Sequence, residues 1–284
     1  MRFAKGHGTE NDFVIVLDPD GRQDLTPALA ARLCDRRAGV GADGVLRVVR
    51  TAVLPDGNTA EGAEWFMDYR NADGSLAEMC GNGIRVFARF LAGHGLVTEP
   101  EFAVATRSGP RLVRLEPDGN VTVDMGAVTV LGPGKAVVGG EVCDGLHISV
   151  GNPHLACLVD QPLGSFDLSR PPELDPQQFP DGANVEVLRV TGTRTLAMRV
   201  RERGSGETRS CGTGAVAATV AAVRATGREP GAWQVSVPGG QLTVTFEDGT
   251  AWLTGPAVLV AEGDLNESWL TAAETQLDPA PPRH

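Results

Sequence analysis

Residues 71–83 read N-A-D-G-S-L-A-E-M-C-G-N-G, and residues 202–214 read E-R-G-S-G-E-T-R-S-C-G-T-G. Each segment is rich in turn-forming residues and leads to a cysteine, Cys80 or Cys211, that is followed by Gly-polar-Gly. An apolar run of helical length comes directly after each cysteine and ends at glycine. The two segments therefore predict two buried helices, each with a cysteine at its N-terminus.

Other elements repeat in the same order in the two halves of the chain. Asn11 and Asn152 each stand just before an apolar, strand-like run. The dipeptides Asp118-Gly119 and Asp248-Gly249 are each flanked by alternating strands, which is typical of hairpin turns. Because these features recur at similar spacing, they indicate an internal duplication. We expect an α+β protein of two pseudo-symmetric domains, each with strands wrapped around a central helix.

The duplication also predicts the domain bounds. Residues 1–126 are expected to form the N-terminal domain with the first cysteine, and residues 127–255 the C-terminal domain with the second. The last strand is expected to return residues 256–284 to the first domain. Residues 50–63 resemble a polar insertion, and the proline-rich tail at 277–284 is expected to be disordered.

Composition and charge narrow the classes of function. The chain has 284 residues, of which 42% are hydrophobic and 21% charged, as in ordinary globular proteins. A formal net charge of −11 argues against a nucleic-acid partner. The N-terminus lacks the apolar core of a signal peptide and no apolar run could span a bilayer, so we expect a cytoplasmic protein with no membrane partner. In that compartment the five cysteines are expected to be free thiols.

The sequence gives little reason to expect a metal or an organic cofactor. His154 and Cys157 are three residues apart, but apolar neighbours surround them and no C-x-x-C occurs, so no metal site is expected. The chain has only two lysines, whereas pyridoxal phosphate needs a Schiff-base lysine. Cys34, Cys143 and Cys157 are interpreted as small buried residues without a chemical role.

The two remaining cysteines stand where a thiol can act as an acid or a base. A thiol at a helix N-terminus faces free N–H groups and the positive end of the helix dipole, so its pKa is expected to fall below about 8.5. The same N–H groups can hold a carboxylate. If two helix ends share one substrate carboxylate, one sulfur lies on each face of the adjacent α-carbon. The hypothesis is that one thiolate removes the α-proton and the other thiol returns a proton from the opposite face, which inverts the stereocentre.

The residues quoted above identify the chain as a member of the diaminopimelate epimerase family. N-A-D-G-S-x-x-x-x-C-G-N-G and E-R-G-x-G-E-T-x-x-C-G-x-G resemble its two signatures, and three supporting motifs are present. These are G-x-x-N-D-F at 8–13, D-R-x-x-G-V-G-A-D at 35–43 and G-N-P-H at 151–154. The resemblance covers nearly the whole chain. It implies a pseudo-twofold fold and a cofactor-independent interconversion of LL- and meso-2,6-diaminopimelate, on the route to lysine and peptidoglycan.

The resemblance also implies roles for single residues. Cys80 and Cys211 match the family's two acid/base cysteines. Backbone N–H groups of the following residues would hold the reacting carboxylate: Gly81, Asn82, Gly212 and Thr213. The family's remaining substrate-binding positions match Asn11, Asn71, Asn152, Asn184, Glu202 and Arg203.

Elementary chemistry is compatible with the last group of assignments. The distal end of the substrate is a zwitterion, whose carboxylate Arg203 can pair through two parallel bonds. Asparagine amides offer a donor and an acceptor, so they can bind both the carboxylate and the ammonium group. His154 and Glu202 match positions that the family uses near the thiols, and the hypothesis is that they tune which sulfur is ionised.

The chain departs from the family pattern at two positions. Gly44 stands where many members have glutamine, so a substrate contact of that side chain is expected to be missing. Ala261 stands where many members have an aromatic residue linked with dimer contacts, so a homodimer is left open.

Two other classes of function are compatible with a pair of thiols. A proline racemase-like enzyme would act on a cyclic amino acid without a distal zwitterion, and it is expected to have histidine in place of Asn82. A thiol redox switch or binding protein could form a disulfide, but it does not need duplicated Cys-Gly-x-Gly helices. The epimerase is favoured because it gives every quoted segment a role.

Overall fold

In the computed structural model, residues 1–54 and 62–275 are described. The insertion expected at 50–63 lies partly outside these residues, and the tail expected to be disordered at 277–284 lies wholly outside them. Over the described ranges, no helix is long and apolar enough to cross a membrane.

The described chain forms four α-helices and eighteen β-strands. The helices are α1 (Pro27–Cys34), α2 (Gly81–Gly93), α3 (Gly212–Thr226) and α4 (Glu267–Thr275). The first nine strands are β1 (Arg2–Gly8), β2 (Asn11–Leu17), β3 (Gly44–Arg50), β4 (Trp65–Asn71), β5 (Glu101–Ala105), β6 (Arg111–Leu115), β7 (Asn120–Gly126), β8 (Thr129–Val138) and β9 (Glu141–Ser149). The other nine are β10 (Pro153–Leu158), β11 (Glu173–Leu174), β12 (Asn184–Gly192), β13 (Thr195–Glu202), β14 (Gly206–Thr208), β15 (Trp233–Val237), β16 (Gly240–Glu247), β17 (Thr250–Pro256) and β18 (Val258–Asp264).

The chain divides into two compact units. The first contains Met1–Gly8, Asp12–Val113 and the described residues from Ala257 on, and the second contains Thr9–Asn11 and Arg114–Pro256. The change between units falls at Val113, earlier than the boundary expected after residue 126. The reason is that β7 pairs antiparallel with β17, so the hairpin arm that precedes residue 126 belongs to the second unit.

The first unit is a mixed sheet with α2 packed against it. Strand β1 pairs antiparallel with β18 and also pairs with β2. Strand β2 runs parallel to β3, β3 antiparallel to β4, and β4 parallel to β5. Helix α2 contacts β1, β3, β4 and β18, and its residues from Gly81 to Ala88 are all buried.

The second unit repeats this pairing pattern. Strand β8 pairs antiparallel with β9, and β9 antiparallel with β10. Strand β10 runs parallel to β12, β12 antiparallel to β13, and β13 parallel to β15. Helix α3 contacts β10, β12, β13 and β16. The same succession of parallel and antiparallel pairs, with a buried helix at the same place, confirms the α+β fold of two duplicated domains.

Local sequence signals set the ends of these elements. Helix α3 ends at Gly227, whose left-handed backbone (φ 62°) closes the last turn at little steric cost. Gly119 (φ 89°) and Gly249 (φ 82°) lie in the hairpin turns before β7 and β17. These are the Asp-Gly turns that the sequence predicted.

Candidate active site

Cys80 is the N-cap residue of α2 and lies at the start of its buried first turn. Its backbone is extended (φ −141°, ψ 118°), and its Sγ accepts a hydrogen bond of 3.3 Å from the N–H of Gly83. The side chain is half-buried. A helix N-terminus that donates to the sulfur favours the thiolate, because the free N–H groups and the helix dipole stabilise negative charge.

A fully buried arginine is hydrogen-bonded to the first turn of α2. Arg85 donates a hydrogen bond of 3.0 Å to the carbonyl of Gly81, and none of its surface is exposed. Burial lowers the pKa of Arg85 to about 10, and the charge of Cys80 acts in the opposite direction. Arg85 therefore remains cationic at neutral pH and adds positive potential near the Cys80 sulfur.

Asn71 closes the turn that leads from β4 towards Cys80. Its Nδ2 donates to Oγ of Ser75 at 3.0 Å, and its backbone N–H donates to the Ser75 carbonyl. Gly74 has φ 83°, and a Cβ there would lie 2.0 Å from the carbonyl oxygen of Pro27, so only glycine fits. In this structure the Asn71 amide therefore stabilises the turn by its hydrogen bond to Ser75.

An ion network that was not predicted from the sequence fixes the segment between β4 and Cys80. Arg107 pairs with the buried carboxylate of Asp68 and donates hydrogen bonds to the carbonyls of Tyr69 (3.1 Å) and Ala77 (3.3 Å). Burial raises the pKa of Asp68, but the hydrogen bonds and charges of Arg107 and Arg70 together outweigh it, so the net shift is downward. Asp68 thus stays ionised and anchors the arginine that fixes the segment before the cysteine.

Ion pairs connect the motif at residues 8–13 with the motif at residues 35–43. Asp12, beside Asn11, accepts from Lys5 at 2.5 Å and from Arg36 at 2.6 Å, and Arg36 also pairs with Asp43 at 2.7 Å. Burial raises the pKa of Asp12, but the hydrogen bonds from Arg36 and Lys5 lower it to about 2. The conspicuous aspartates of these motifs therefore have a structural role, while Asn11 is half-buried as the first residue of β2.

Gly44 lies opposite Asn71 in the β3–β4 ladder. A Cβ at Gly44 would lie 2.5 Å from the carbonyl oxygen of Arg70 and 2.6 Å from the ring of Tyr69. The departure from the family glutamine is thus more than a missing contact, because this chain has no room for a side chain at that position.

Cys211 is the N-cap residue of α3 and repeats the extended backbone of the first cysteine (φ −129°, ψ 119°). Its Sγ lies 3.5 Å from Oγ1 of Thr213, and the residue is only 5% exposed. Burial, and then the charges of Glu202 and Glu186, raise its pKa well above 9.0. The expectation that the helix N-terminus lowers the pKa is therefore wrong for Cys211, since desolvation and two carboxylates outweigh the helix dipole.

Glu202 lies at the end of β13 and accepts a hydrogen bond of 2.5 Å from Oγ1 of Thr208. Burial raises its pKa, and hydrogen bonds from Thr208 and Cys211 offset this only in part. Asn184, the first residue of β12, accepts a hydrogen bond of 2.9 Å from the backbone N–H of Arg203. The Arg203 side chain is exposed and donates to the carbonyl of Asp181 at 3.2 Å.

His154 is fully buried and lies between two polar partners. Its Nδ1 is 2.7 Å from Oε1 of Glu186, and its Nε2 is 3.0 Å from Oδ1 of Asn152. Asn152 in turn donates from Nδ2 to Oγ1 of Thr213 at 3.4 Å. Glu186 was missed from the sequence, although an acid within the apolar run N-V-E-V-L is itself a signal of a paired buried charge.

Each unit therefore gathers predicted residues of its own around one cysteine. In the first unit Cys80, Gly81 and Asn82 form the start of α2. In the second unit hydrogen bonds connect several predicted residues in one network: Asn152, His154, Glu202, Cys211 and Thr213. Neither helix has an acidic residue in its first turn that would compete with a bound carboxylate.

Comparison with known proteins agrees with this description. A family model described as diaminopimelate epimerase matches residues 3–131 and 146–260. A diaminopimelate epimerase of Thermobifida fusca is 62% identical over 275 residues, which cover 95% of this chain and 100% of that protein. A diaminopimelate epimerase of Mycolicibacterium smegmatis is 52% identical over 287 residues, with coverage of 95% and 98%.

Solved structures share the fold at low sequence identity. A phenazine biosynthesis protein of Bacillus anthracis superposes with a TM-score of 0.70 at 16% identity, over 94% of this chain and 99% of that one. A probable proline racemase of Agrobacterium radiobacter superposes with a TM-score of 0.67 at 14% identity, over 94% and 93%. Identities this low show a common fold and carry no argument about the substrate.

Proposed function

Because this chain belongs to the diaminopimelate epimerase family, we propose that it interconverts LL- and meso-2,6-diaminopimelate with Cys80 and Cys211 as its two acid/base groups. The observation that carries the proposal is the equivalence of the two cysteines. Each is the N-cap residue, in the same extended conformation, of the buried helix of one duplicated unit. A reaction that inverts one carbon needs two such groups, one for each face.

The environments of the two sulfurs suggest which one starts as the base. The Cys80 sulfur receives an N–H from Gly83, and cationic Arg85 lies under the same turn, so Cys80 is the thiolate. Burial raises the pKa of Cys211 well above 9.0, so Cys211 is the thiol. The two groups thus begin in opposite protonation states, as a two-base reaction requires.

The reaction then follows with balanced charge. The Cys80 thiolate takes the α-proton from one face, and the Cys211 thiol gives its proton to the other face of the carbanion. One S–H bond forms at Cys80, one breaks at Cys211, and the negative charge moves from the first sulfur to the second. In the opposite direction the roles are reversed, so each cysteine is the base for one stereoisomer.

The carboxylate next to the reacting carbon is assigned to the helix N-termini. N–H groups in the first turns of α2 and α3 are suited to stabilise the extra charge that the carboxylate gains as the α-proton leaves. The residues assigned to this role are Gly81, Asn82, Gly212 and Thr213.

The distal end of the substrate is assigned to Arg203 and to asparagines. The exposed Arg203 guanidinium can pair the distal carboxylate, and Asn184 holds the Arg203 backbone in place. Further distal contacts are assigned to Asn11, Asn71, Asn152 and Glu202. We place the reaction in the supply of lysine and peptidoglycan precursors.

The proposal is tested by incubating the purified protein, without added cofactor, with LL-diaminopimelate and in parallel with L-proline, and by separating the stereoisomers. The proposal predicts meso-diaminopimelate at equilibrium and unchanged proline. Racemised proline with unchanged diaminopimelate would assign the chain to a racemase of cyclic amino acids. No change in either substrate would favour a redox or binding role for the thiols.

A further inference from the structure

A buried carboxylate with no part in the proposed proton transfers lies behind the first turn of α3. Glu186 is on β12, and none of its surface is exposed. Its Oε1 is 2.7 Å from Nδ1 of His154, while its Oε2 has no hydrogen-bond partner among the described residues. A buried carboxylate is costly unless a nearby positive charge compensates it, and His154 is the group in contact that can carry one.

A chain of hydrogen bonds leads from His154 to Cys211. Nε2 of His154 is 3.0 Å from Oδ1 of Asn152. Nδ2 of Asn152 is 3.4 Å from Oγ1 of Thr213. The same Oγ1 is 3.5 Å from Sγ of Cys211. Glu186 is therefore connected to the Cys211 sulfur through three intervening side chains.

The donors in this chain all point towards the sulfur. Both ring nitrogens of His154 face carboxylate or amide oxygens, an arrangement that is fully satisfied when both nitrogens donate a hydrogen. Nε2–H donates to Oδ1 of Asn152, and Nδ2–H of Asn152 donates to the Thr213 hydroxyl. The Thr213 hydroxyl hydrogen is then left to donate to Sγ of Cys211, which favours the thiolate form of that sulfur.

We propose that Glu186 is a positioning residue that keeps His154 doubly protonated and fixes the direction of this hydrogen-bond chain. The chain then delivers a hydrogen bond to the Cys211 thiolate, which offsets the unfavourable charge of Glu186 itself. This inference rests on the proposed function, in which the thiolate forms when Cys211 gives its proton to the α-carbon. In that step the S–H bond breaks, the C–H bond forms and the negative charge moves from carbon to sulfur. No proton moves along the chain, so the hydrogen-bonding effect of Glu186 on the sulfur passes through His154.

The surroundings of the Glu186–His154 pair are otherwise acidic. Glu202 on β13 interacts electrostatically with both members of the pair, and Cys211 on α3 and Cys157 on β10 interact electrostatically with Glu186. The first turn of α3 packs closely against the Glu186 carboxylate, since a Cβ at Gly214 would lie 2.7 Å from Oε1 of Glu186. Among the described residues, the carboxyl groups that interact with His154 are those of Glu186 and Glu202, and only Glu186 makes a hydrogen bond to it.

The first test compares Glu186→Gln with Glu247→Gln, a matched change at an exposed residue of β16. A neutral glutamine leaves His154 with one proton, on Nδ1. The Asn152 amide then turns to donate to Nε2, and the Thr213 hydroxyl donates to Asn152 in place of the sulfur. We expect kcat to fall about 10- to 100-fold in both directions, because a hydrogen bond to a developing charge is lost. Glu247→Gln should keep the activity.

The second readout does not depend on turnover. Nitrogen-15 NMR of labelled histidine, assigned with His154→Gln, should show two protonated ring nitrogens of His154 in the wild type at neutral pH and one in Glu186→Gln. Two protonated nitrogens and an unchanged kcat in Glu186→Gln would overturn the inference. If that variant does not fold, a wild-type spectrum with one protonated nitrogen, or Thr213→Val with unchanged kcat, would overturn it. A wild type that fails to act on diaminopimelate would contradict the proposed function, while the spectrum would still test the protonation of His154.

Discussion

The Sγ atom of Cys80 accepts a hydrogen bond from the backbone N–H of Gly83 at 3.3 Å. The equivalent sulfur of Cys211 also interacts with the backbone of Gly214 and with Thr213, but it is buried and lies beside the carboxyl group of Glu202. Two cysteines at the same position of duplicated helices therefore share backbone donors but differ in burial and in nearby carboxyl groups. One faces donors that favour a thiolate, and the other is buried beside acids that favour a thiol.

We predict that iodoacetamide at neutral pH modifies Cys80 before any other cysteine. Cys80 is half-buried, whereas Cys34, Cys143, Cys157 and Cys211 are buried. Burial also raises the pKa of Cys34 to about 12 and shifts that of Cys143 upward, so these thiols are unreactive. Peptide mapping by mass spectrometry at partial modification measures the order. Faster labelling of Cys211 would contradict the assignment of Cys80 as the resting thiolate.

Replacement of Glu202 should make Cys211 more acidic. After burial, the charge of Glu202 is the largest cause of the raised pKa of Cys211. Glu202→Gln is therefore expected to shift the alkaline onset of Cys211 alkylation to lower pH, measured in a Cys80→Ala background. The matched control is Glu207→Gln, an exposed glutamate that pairs with Arg199. An onset that stays at the wild-type pH would show that burial alone sets the pKa.

A side chain at Gly44 should destabilise the protein without improving substrate binding. The added Cβ would meet the Arg70 carbonyl and the Tyr69 ring at 2.5 and 2.6 Å. We expect Gly44→Ala to lower the free energy of unfolding by about 1–3 kcal/mol, as is typical of overpacking. Gly164→Ala is the control, because no atom lies within 4 Å of the Cβ that it would add. Equal unfolding curves for the two variants in urea would contradict the predicted clash.

The charge cluster around Asp12 predicts a specific loss of stability in acid. The pKa of Asp12 falls from 3.8 to about 2 in the folded protein. A lowered folded-state pKa contributes stability that is present above pH 3.8 and is lost as the pH falls through about 2. Asp12→Asn should therefore lower the free energy of unfolding by roughly 2 kcal/mol at neutral pH. It should also make the free energy of unfolding depend less on pH in acid.

The control for this prediction is Asp144→Asn. Asp144 is 79% exposed and pairs with Lys135 on the surface, where ion pairs contribute little. Urea unfolding between pH 2 and 7 measures both variants. If the free energy of unfolding falls equally steeply with acid in Asp12→Asn and in the wild type, the acid-sensitive group is not Asp12.

Much of the fold could be predicted from sequence because its signals are local. The Gly-polar-Gly segments after Cys80 and Cys211 do begin helices, and Asp118-Gly119 and Asp248-Gly249 do form the hairpin turns. These features depend on a few neighbouring residues whose conformational preferences are strong.

The unpredicted part of the site depends on contacts between distant residues. Glu186 meets His154, 32 residues away, because β10 and β12 pair in parallel, and Arg107 meets Asp68 across 39 residues. The raised pKa of Cys211 is likewise a property of burial, which the sequence around the cysteine does not reveal. For the same reason the chain divides at Val113 and not after residue 126, since the partner of β7 is β17.

The most direct test of the two-thiol account is solvent deuterium incorporation at the α-carbon, followed by NMR in D2O with LL-diaminopimelate. Cys80→Ala and Cys211→Ala are compared with Cys143→Ala, which changes a buried thiol outside the proposed site. The account predicts that the wild type and Cys143→Ala form deuterated meso product, and that both other variants lose turnover. Full turnover with deuterium incorporation in either Cys80→Ala or Cys211→Ala would contradict it.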